Sequence, residues 1–194
     1  MRRVGVFGGT FDPPHLGHLM LAETAREKLR LDRVVFMPAG TPPHKHRRDL
    51  SPAERRIDMT RLAVRGHPQF EVSTLEARRV GPSYTVDTLG ALHRRAPDAK
   101  LYLLMGGDSL DDFSTWHDPQ RILELATLVA HPRPGARGAR RSRAGVLWLN
   151  GPELDVSSSM IRARLRAGGS VRYLLPDAVE RYARRHRLYR PRRA

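Results

Sequence analysis

Short runs of β-branched and apolar residues alternate along the chain with longer stretches in which apolar positions recur every three or four residues. That alternation predicts a parallel sheet covered on both faces by helices. The first run, residues 2–7, carries Val4, Val6 and Phe7 and leads straight into Gly8 and Gly9. Leu16, Leu19, Met20, Ala22 and Leu29 keep helical spacing, so a helix is predicted over 16–29. Residues 34–37, Val-Val-Phe-Met, read as a second buried strand, and the polar stretch 39–50 as a loop. The loop closes on Ser51-Pro52-Ala53-Glu54, which has the form of a capping box with proline at the first helical position, and a helix to about Val64 is expected from it.

Further along, residues 70–73 predict a strand, 84–95 a helix, and 101–105 a strongly apolar central strand ending in Gly106-Gly107-Asp108. Asp118-Pro119 starts a helix to about Leu125, and 127–130 and 146–149 read as two more strands. Between those strands, residues 132–145 are rich in proline, glycine and arginine without apolar periodicity and are expected to form a flexible insertion. Ser157 is placed to cap a helix over 158–167 that Gly168-Gly169 stops, and 176–186 reads as a closing helix. The expected fold class is therefore α/β, a Rossmann-like doubly wound parallel sheet with helices on both faces and a small C-terminal helical part. With 194 residues there is room for one such domain, and a second core would be cramped.

Composition narrows the function more by exclusion than by indication. A hydrophobic fraction of 40% with 28% charged residues describes a folded globule and not a disordered chain. The absence of cysteine rules out thiol nucleophiles, disulfides and cysteine-based zinc sites. The N-terminus reads as a first strand rather than a signal peptide, and no apolar stretch approaches membrane-spanning length, so a cytoplasmic location without membrane partners is expected. The net charge of +15 attracts polyanions without choosing among them. Lysine occurs only at Lys28, Lys45 and Lys100, so the charge is nearly all arginine, and compositional bias is the plainer reading of it. An RNA-binding module built on the arginines of 181–193 and 132–145 is the rival from another class. It lacks the interleaved stacking aromatics that such modules use, and no specific nucleic-acid partner is expected.

The candidate chemistry starts where the first strand ends, in Gly8-Gly9-Thr10-Phe11-Asp12-Pro13-Pro14-His15-Leu16-Gly17-His18. Glycines at a strand end followed by a helix N-terminus present backbone N–H groups to an anion, and the helix dipole adds attraction for phosphate. The spacing is neither that of a Walker loop, since no Gly-Lys-Ser/Thr follows, nor that of a dinucleotide fingerprint. His15 and His18 stand three positions apart at the start of the helix, share a face, and can donate to phosphate oxygens as charge builds in a transition state. A metal pair is the competing reading, but no third ligand stands at a usual offset. Late in the chain, Ser157, Ser158 and Ser159 supply hydroxyls at a helix N-terminus, with Arg162 one turn in as a forked donor.

These two segments resemble the HxGH nucleotidyltransferases, whose hallmarks are G-T-F-D-P-x-H-x-G-H near the N-terminus and a late S-S-x-x-I-R. Residues 9–18 fit the first without a gap and 157–162 fit the second, with Val156 and Ser159 where many members carry isoleucine and threonine. The resemblance is greatest to the bacterial nicotinate mononucleotide adenylyltransferases and extends over nearly the whole chain. It is carried further by Pro42-Pro43-His44-Lys45, by residues 82–89, by Gly106-Gly107-Asp108 with Trp116 following, and by Tyr173-Leu174-Leu175-Pro176. His15 argues against the phosphopantetheine adenylyltransferases, which usually carry threonine there.

The resemblance implies transfer of AMP from ATP to nicotinate mononucleotide in NAD biosynthesis, with Mg²⁺ accompanying ATP. Nicotinamide mononucleotide or another phosphorylated acceptor is the alternative, and the oligomeric state is left open, a homo-oligomer included. It implies that Gly8, Gly9, Thr10, Phe11, His15 and His18 hold ATP, with Ser157, Ser158 and Arg162 reaching the triphosphate from the opposite side. His15, His18 and Arg162 are the catalytic candidates. Lys45 is expected to close over the phosphates, and Gly106 and Asp108 to meet the adenosine ribose or, for Asp108, the magnesium ion. Trp116 is expected to stack on the pyridine ring, with Asp12, His44, Tyr84 and Thr85 completing the acceptor pocket.

Overall fold

The computed structural model describes residues 1–42, 50–131 and 145–189, with the backbone alone at 107 and 108. Its sheet contains β1 (Arg3–Gly9), β2 (Arg33–Pro38), β3 (Phe70–Val72), β4 (Lys100–Gly106), β5 (Ala126–His131) and β6 (Val146–Trp148). The strands lie in the order β3-β2-β1-β4-β5-β6, and every neighbouring pair is parallel. Strand order reverses between β1 and β4, and in open α/β sheets the crevice beyond the carboxyl ends of the strands at such a point is where ligands bind. The helices are α1 (Leu16–Lys28), α2 (Ala53–Val64), α3 (Thr85–Arg95), α4 (Gly107–Asp111), α5 (Pro119–Leu125), α6 (Ser158–Arg166) and α7 (Asp177–Arg185), with a 3-10 turn at Phe113–Thr115.

Strand alternation divides the core into two layers. Val4, Val6, Val35, Met37, Leu101, Leu103 and Met105 face Val86 and Leu89 of α3 and Ile122 of α5. Phe7, Val34, Phe36, Tyr102, Leu104 and Val129 face Leu21, Ala22 and Ala25 of α1. A third cluster, Met59, Ile161, Val171, Leu175, Val179 and Ala183, joins α2 to α6 and α7 and forms the small C-terminal helical part. It touches the sheet's first loop directly, because the Leu16 N–H that opens α1 donates to Leu174 O at 2.9 Å.

The expected α/β class holds, and the departures from expectation are local. β1 runs two residues further than its apolar run, since Gly8 and Gly9 stay in register with Met37 and Pro38. The capping box at 51–54 does not form: Pro52 is the N-cap of α2 and contributes no side-chain cap. The Ser51 N–H instead donates to Asp12 Oδ2 at 3.0 Å. The caps at Ser157, which accepts from Met160 N at 3.2 Å, and at Asp118, which accepts from Arg121 N at 3.1 Å, are as expected. α4 and the 3-10 turn have no counterpart in the sequence reading, because five and three residues are too short to show a period. The insertion expected at 132–145 lies, up to residue 144, outside the described residues.

Candidate active site

Beyond the ends of β1 and β4 lies a cleft of about 580 Å³, lined at one end by Gly8, Gly9, Thr10, His15 and His18 and at the other by Glu76, Tyr84, Thr85, Trp116 and His117. The β1–α1 loop is shaped by packing as much as by hydrogen bonds. Phe11 takes a left-handed backbone conformation (φ 49°) that tucks its ring beneath the glycines. A Cβ at Gly9 would lie 2.8 Å from that ring, so glycine is required there for close approach. Phe11 and Phe7 in turn meet the edge of His18, with centroids 5.1 and 5.8 Å away.

His15 occupies the N-cap of α1 in extended conformation. Its N–H donates to His18 Nδ1 at 3.1 Å, and the two rings lie 3.6 Å apart at 31°. Because Nδ1 of His18 accepts, the ring proton sits on Nε2, so this imidazole presents a donor. The i, i+3 spacing read from the sequence thus becomes a stacked imidazole pair at the mouth of a helix N-terminus.

α6 meets this loop from the far end of the chain. Ser158 Oγ donates to Pro13 O at 2.8 Å and Arg162 Nη1 to Asp12 O at 2.9 Å. Both side chains line the cleft, as do Ser157 and Ser159, whose hydroxyls lie 2.9 Å apart. The histidine pair and the Ser-Arg helix therefore converge on one cavity. Ser158 and Arg162 each also hold a loop carbonyl, so they shape the loop as well as facing the cleft.

The opposite wall is built around α3. Ser83 Oγ accepts from Gly40 N (3.0 Å) and Thr41 N (3.3 Å), pinning the turn after β2 to the residues that lead into the helix. Tyr84 is the N-cap of α3 and stacks on His117 at 4.4 Å and 29°. Trp116 leans on Phe113, with centroids 5.6 Å apart. Glu76, almost wholly buried, accepts a 2.8 Å bond from Thr88 Oγ1. Burial pushes its carboxyl up to about 7, against the Thr88 hydrogen bond and the Arg79 charge that both favour ionisation.

Most of the residues expected from the sequence line this cleft: Gly8, Gly9, Thr10, Phe11, His15, His18, Tyr84, Thr85, Gly106, Trp116, Ser157, Ser158 and Arg162. Two expectations change. Asp12 does not face the acceptor pocket; it is 1% exposed, and its carboxylate takes hydrogen bonds from Ser51 N and from the Tyr189 hydroxyl. Phe11 borders the cavity yet is 1% exposed and serves as the packed floor under His18, since a ring this deep leaves little surface for a nucleotide. His44 and Lys45 lie outside the described residues, and so does the side chain of Asp108.

Two residues that line the cleft, and one that supports it from behind, escaped the sequence reading. His117 follows Trp116 and carried no spacing of its own. Glu76 stood in an unpatterned stretch. Arg56 was one arginine among many, although Arg56, Thr60 and Val64 fall at i, i+4 and i+8, which places the guanidinium on the buried stripe of α2. The Asp12 carboxylate beside it supplies opposite charge. Burial nevertheless leaves Arg56 a weaker base than usual.

A parallel sheet in this order, with one helix N-terminus at its switch point and a second closing on it, is a frame for binding a phosphorylated ligand. Residues 6–164 match the family model described as cytidylyltransferase-like. A protein of Thermomicrobium roseum described as a probable nicotinate-nucleotide adenylyltransferase is 46% identical over 198 residues, covering 98% of this chain and 92% of the relative. One of Thermus thermophilus with the same description is 50% identical over 188 residues, covering 97% of this chain and all of the relative. The chain belongs to the cytidylyltransferase-like family and, within it, to the nicotinate-nucleotide adenylyltransferases. The solved structure of Plasmodium falciparum nicotinic acid mononucleotide adenylyltransferase complexed with NaAD shares the fold at a TM-score of 0.83 and 17% identity, covering 97% of this chain and 98% of that one.

Proposed function

We propose that this chain transfers the adenylyl group of ATP to nicotinate mononucleotide, giving nicotinate adenine dinucleotide and pyrophosphate in NAD biosynthesis. The observation that carries the reading is the convergence of the His15–His18 pair and the Ser157–Arg162 turn on one cleft whose other end is aromatic. The acceptor phosphate, with a second pKa near 6, is mostly dianionic at neutral pH and needs no general base. One of its oxygens attacks the α-phosphorus as the bond from that phosphorus to the bridging oxygen of the β-phosphate breaks, and the electron pair leaves with pyrophosphate. In this reading His15 and His18 donate to phosphate oxygens on one side and Ser158 and Arg162 on the other, so that charge moving toward pyrophosphate meets fixed donors. Trp116 stacks on the pyridine ring. Tyr84 and Thr85 bring the N-terminus of α3 to the nicotinate carboxylate, whose charge the helix dipole favours.

Magnesium enters this reading as the companion of ATP, held chiefly by phosphate oxygens, where it shares the charge of the leaving group. Among the described residues no group of three His, Asp or Glu side chains could cage a metal; Asp108 is proposed as the protein's contact to the ion on the sequence resemblance alone, and no step is routed through the ion. Among the described residues no helix is long and apolar enough to cross a membrane.

The deciding experiment incubates the pure chain with Mg-ATP and either nicotinate or nicotinamide mononucleotide and follows pyrophosphate and dinucleotide. Faster turnover of the nicotinate form is expected, and no dinucleotide from either acceptor overturns the proposal. In the same assay His18→Ala is expected to lose about 10²–10³ in kcat with the fold intact, the usual effect of removing one preorganised donor. Undiminished turnover in that variant removes His18 from the mechanism.

A further inference from the structure

Arg56 lies in the first turn of α2 and is 1% exposed. Among the described residues its guanidinium donates only to backbone carbonyls: Nε to Ser51 O at 3.0 Å, Nη1 to Thr10 O at 3.0 Å and Ala39 O at 2.6 Å, and Nη2 to Gly40 O at 3.0 Å. A cation so deeply buried is costly to desolvate, and an aliphatic side chain on the same helical stripe would fill the space without that cost. What the guanidinium does that leucine or methionine cannot is bind two loops at once, the β1–α1 loop at Thr10 and the β2–α2 loop at both of its ends.

Those loops build the two ends of the cleft. Thr10 belongs to the β1–α1 loop that carries the imidazole pair. Ala39 and Gly40 form the corner after β2, which Ser83 ties to the start of α3 and which abuts Glu76, whose carbonyl would lie 2.6 Å from a Cβ at Gly40. One rigid plane therefore spans the phosphate end and the acceptor end of the cavity, while Arg56 itself is absent from the cavity wall.

We infer that Arg56 is a positioning residue for adenylyl transfer, its planar fork setting the distance between the loop that holds ATP and the corner that seats the acceptor. The inference rests on the adenylyl-transfer reading above. Bound reactants must sit about 3–3.5 Å apart and in line, and a misplacement of about 1 Å costs about 10² in rate. A single ammonium cannot meet carbonyls diverging into separate loops as a guanidinium does, so lysine keeps the charge and loses the geometry.

The test is steady-state kinetics of Arg56→Lys, with thermal unfolding measured alongside. Expected are a cooperative melt, a kcat about 10²-fold below wild type, and KM values for ATP and nicotinate mononucleotide within about threefold, because each half-site survives while their spacing does not. Arg56→Ala should recover part of its lost kcat in millimolar guanidinium chloride and none in equimolar sodium chloride. Tyr182→Phe serves as the stability control: it breaks the 2.7 Å bond to Asp58 between α7 and α2, outside the cleft lining, and should lower the melting temperature with kcat unchanged. Wild-type kcat in Arg56→Lys, failure of that variant to fold, or a matching kcat loss in Tyr182→Phe would each overturn the inference. An inactive wild type would instead sink the adenylyl-transfer reading on which it stands.

Discussion

Replacing Glu76 by glutamine is expected to abolish a loss of stability that the wild-type chain suffers as pH rises from 4.5 to about 7. The carboxyl is 5% exposed, and burial is the largest influence on it, outweighing the Thr88 bond and the Arg79 charge. Because its native pKa stands above the unfolded value, the folded chain keeps this proton in a pH range where the unfolded chain has released it. Stability therefore falls with rising pH across that range and levels off above it. At 1.36 kcal/mol per pH unit the interval corresponds to about 3 kcal/mol, an upper figure that local relaxation would lower.

Glutamine cannot ionise, yet its amide oxygen can still accept from Thr88 Oγ1. Urea unfolding of both proteins at intervals from pH 4.5 to 8.5 isolates the effect, since every other titrating group is shared and cancels in the difference. The stability of Glu76→Gln relative to wild type should rise by about 2–3 kcal/mol across the window. A difference that stays flat refutes the reasoning, and one that moves the other way would show that Arg79 outweighs burial.

Tyr189→Phe removes the hydroxyl that donates to Asp12 and leaves a buried carboxylate oxygen short of a donor; a loss of about 1–3 kcal/mol in urea unfolding is expected. An unchanged midpoint would mean that water replaces the phenol. Gly40→Ala places a Cβ 2.6 Å from Glu76 O and 3.0 Å from Ala77 Cα, backbone that cannot swing aside, so a cost of about 1–3 kcal/mol is expected together with a raised KM for the acceptor. Wild-type KM there would separate the corner from acceptor binding. Ile161→Ala empties a fully buried position where α6 meets α2 and α7 and should cost about 2–5 kcal/mol. A change under about 1 kcal/mol would show that the third cluster repacks freely.

The sheet was legible because its strands are short apolar runs between helices of clear period, and the caps at Ser157 and Asp118 were legible because capping is local chemistry. The histidine pair was legible because i, i+3 spacing at a helix start has one geometric outcome. What escaped depends on contacts distant in sequence. Ser51 reads as a cap until Asp12, 39 residues earlier, takes its N–H. Asp12 reads as a ligand until Tyr189, 177 residues later, donates to it. Arg56 stands on the buried stripe of α2, a spacing that one arginine among many obscured, while Glu76 is a charged residue whose burial no local pattern announces, since whether such a group faces solvent is decided by loops that pack over it.

The grip of α6 on the first loop also orders events during synthesis. The contacts from Ser158 to Pro13 and from Arg162 to Asp12 span 145 and 150 residues. A nascent chain that has emerged through β6 has all the described strands of its sheet, but its imidazole pair faces a half-built wall. The wall around the imidazole pair is therefore completed only after residues 157–162 have been made and have docked on the first loop, so closure of the cleft comes later than the making of the strands that carry it.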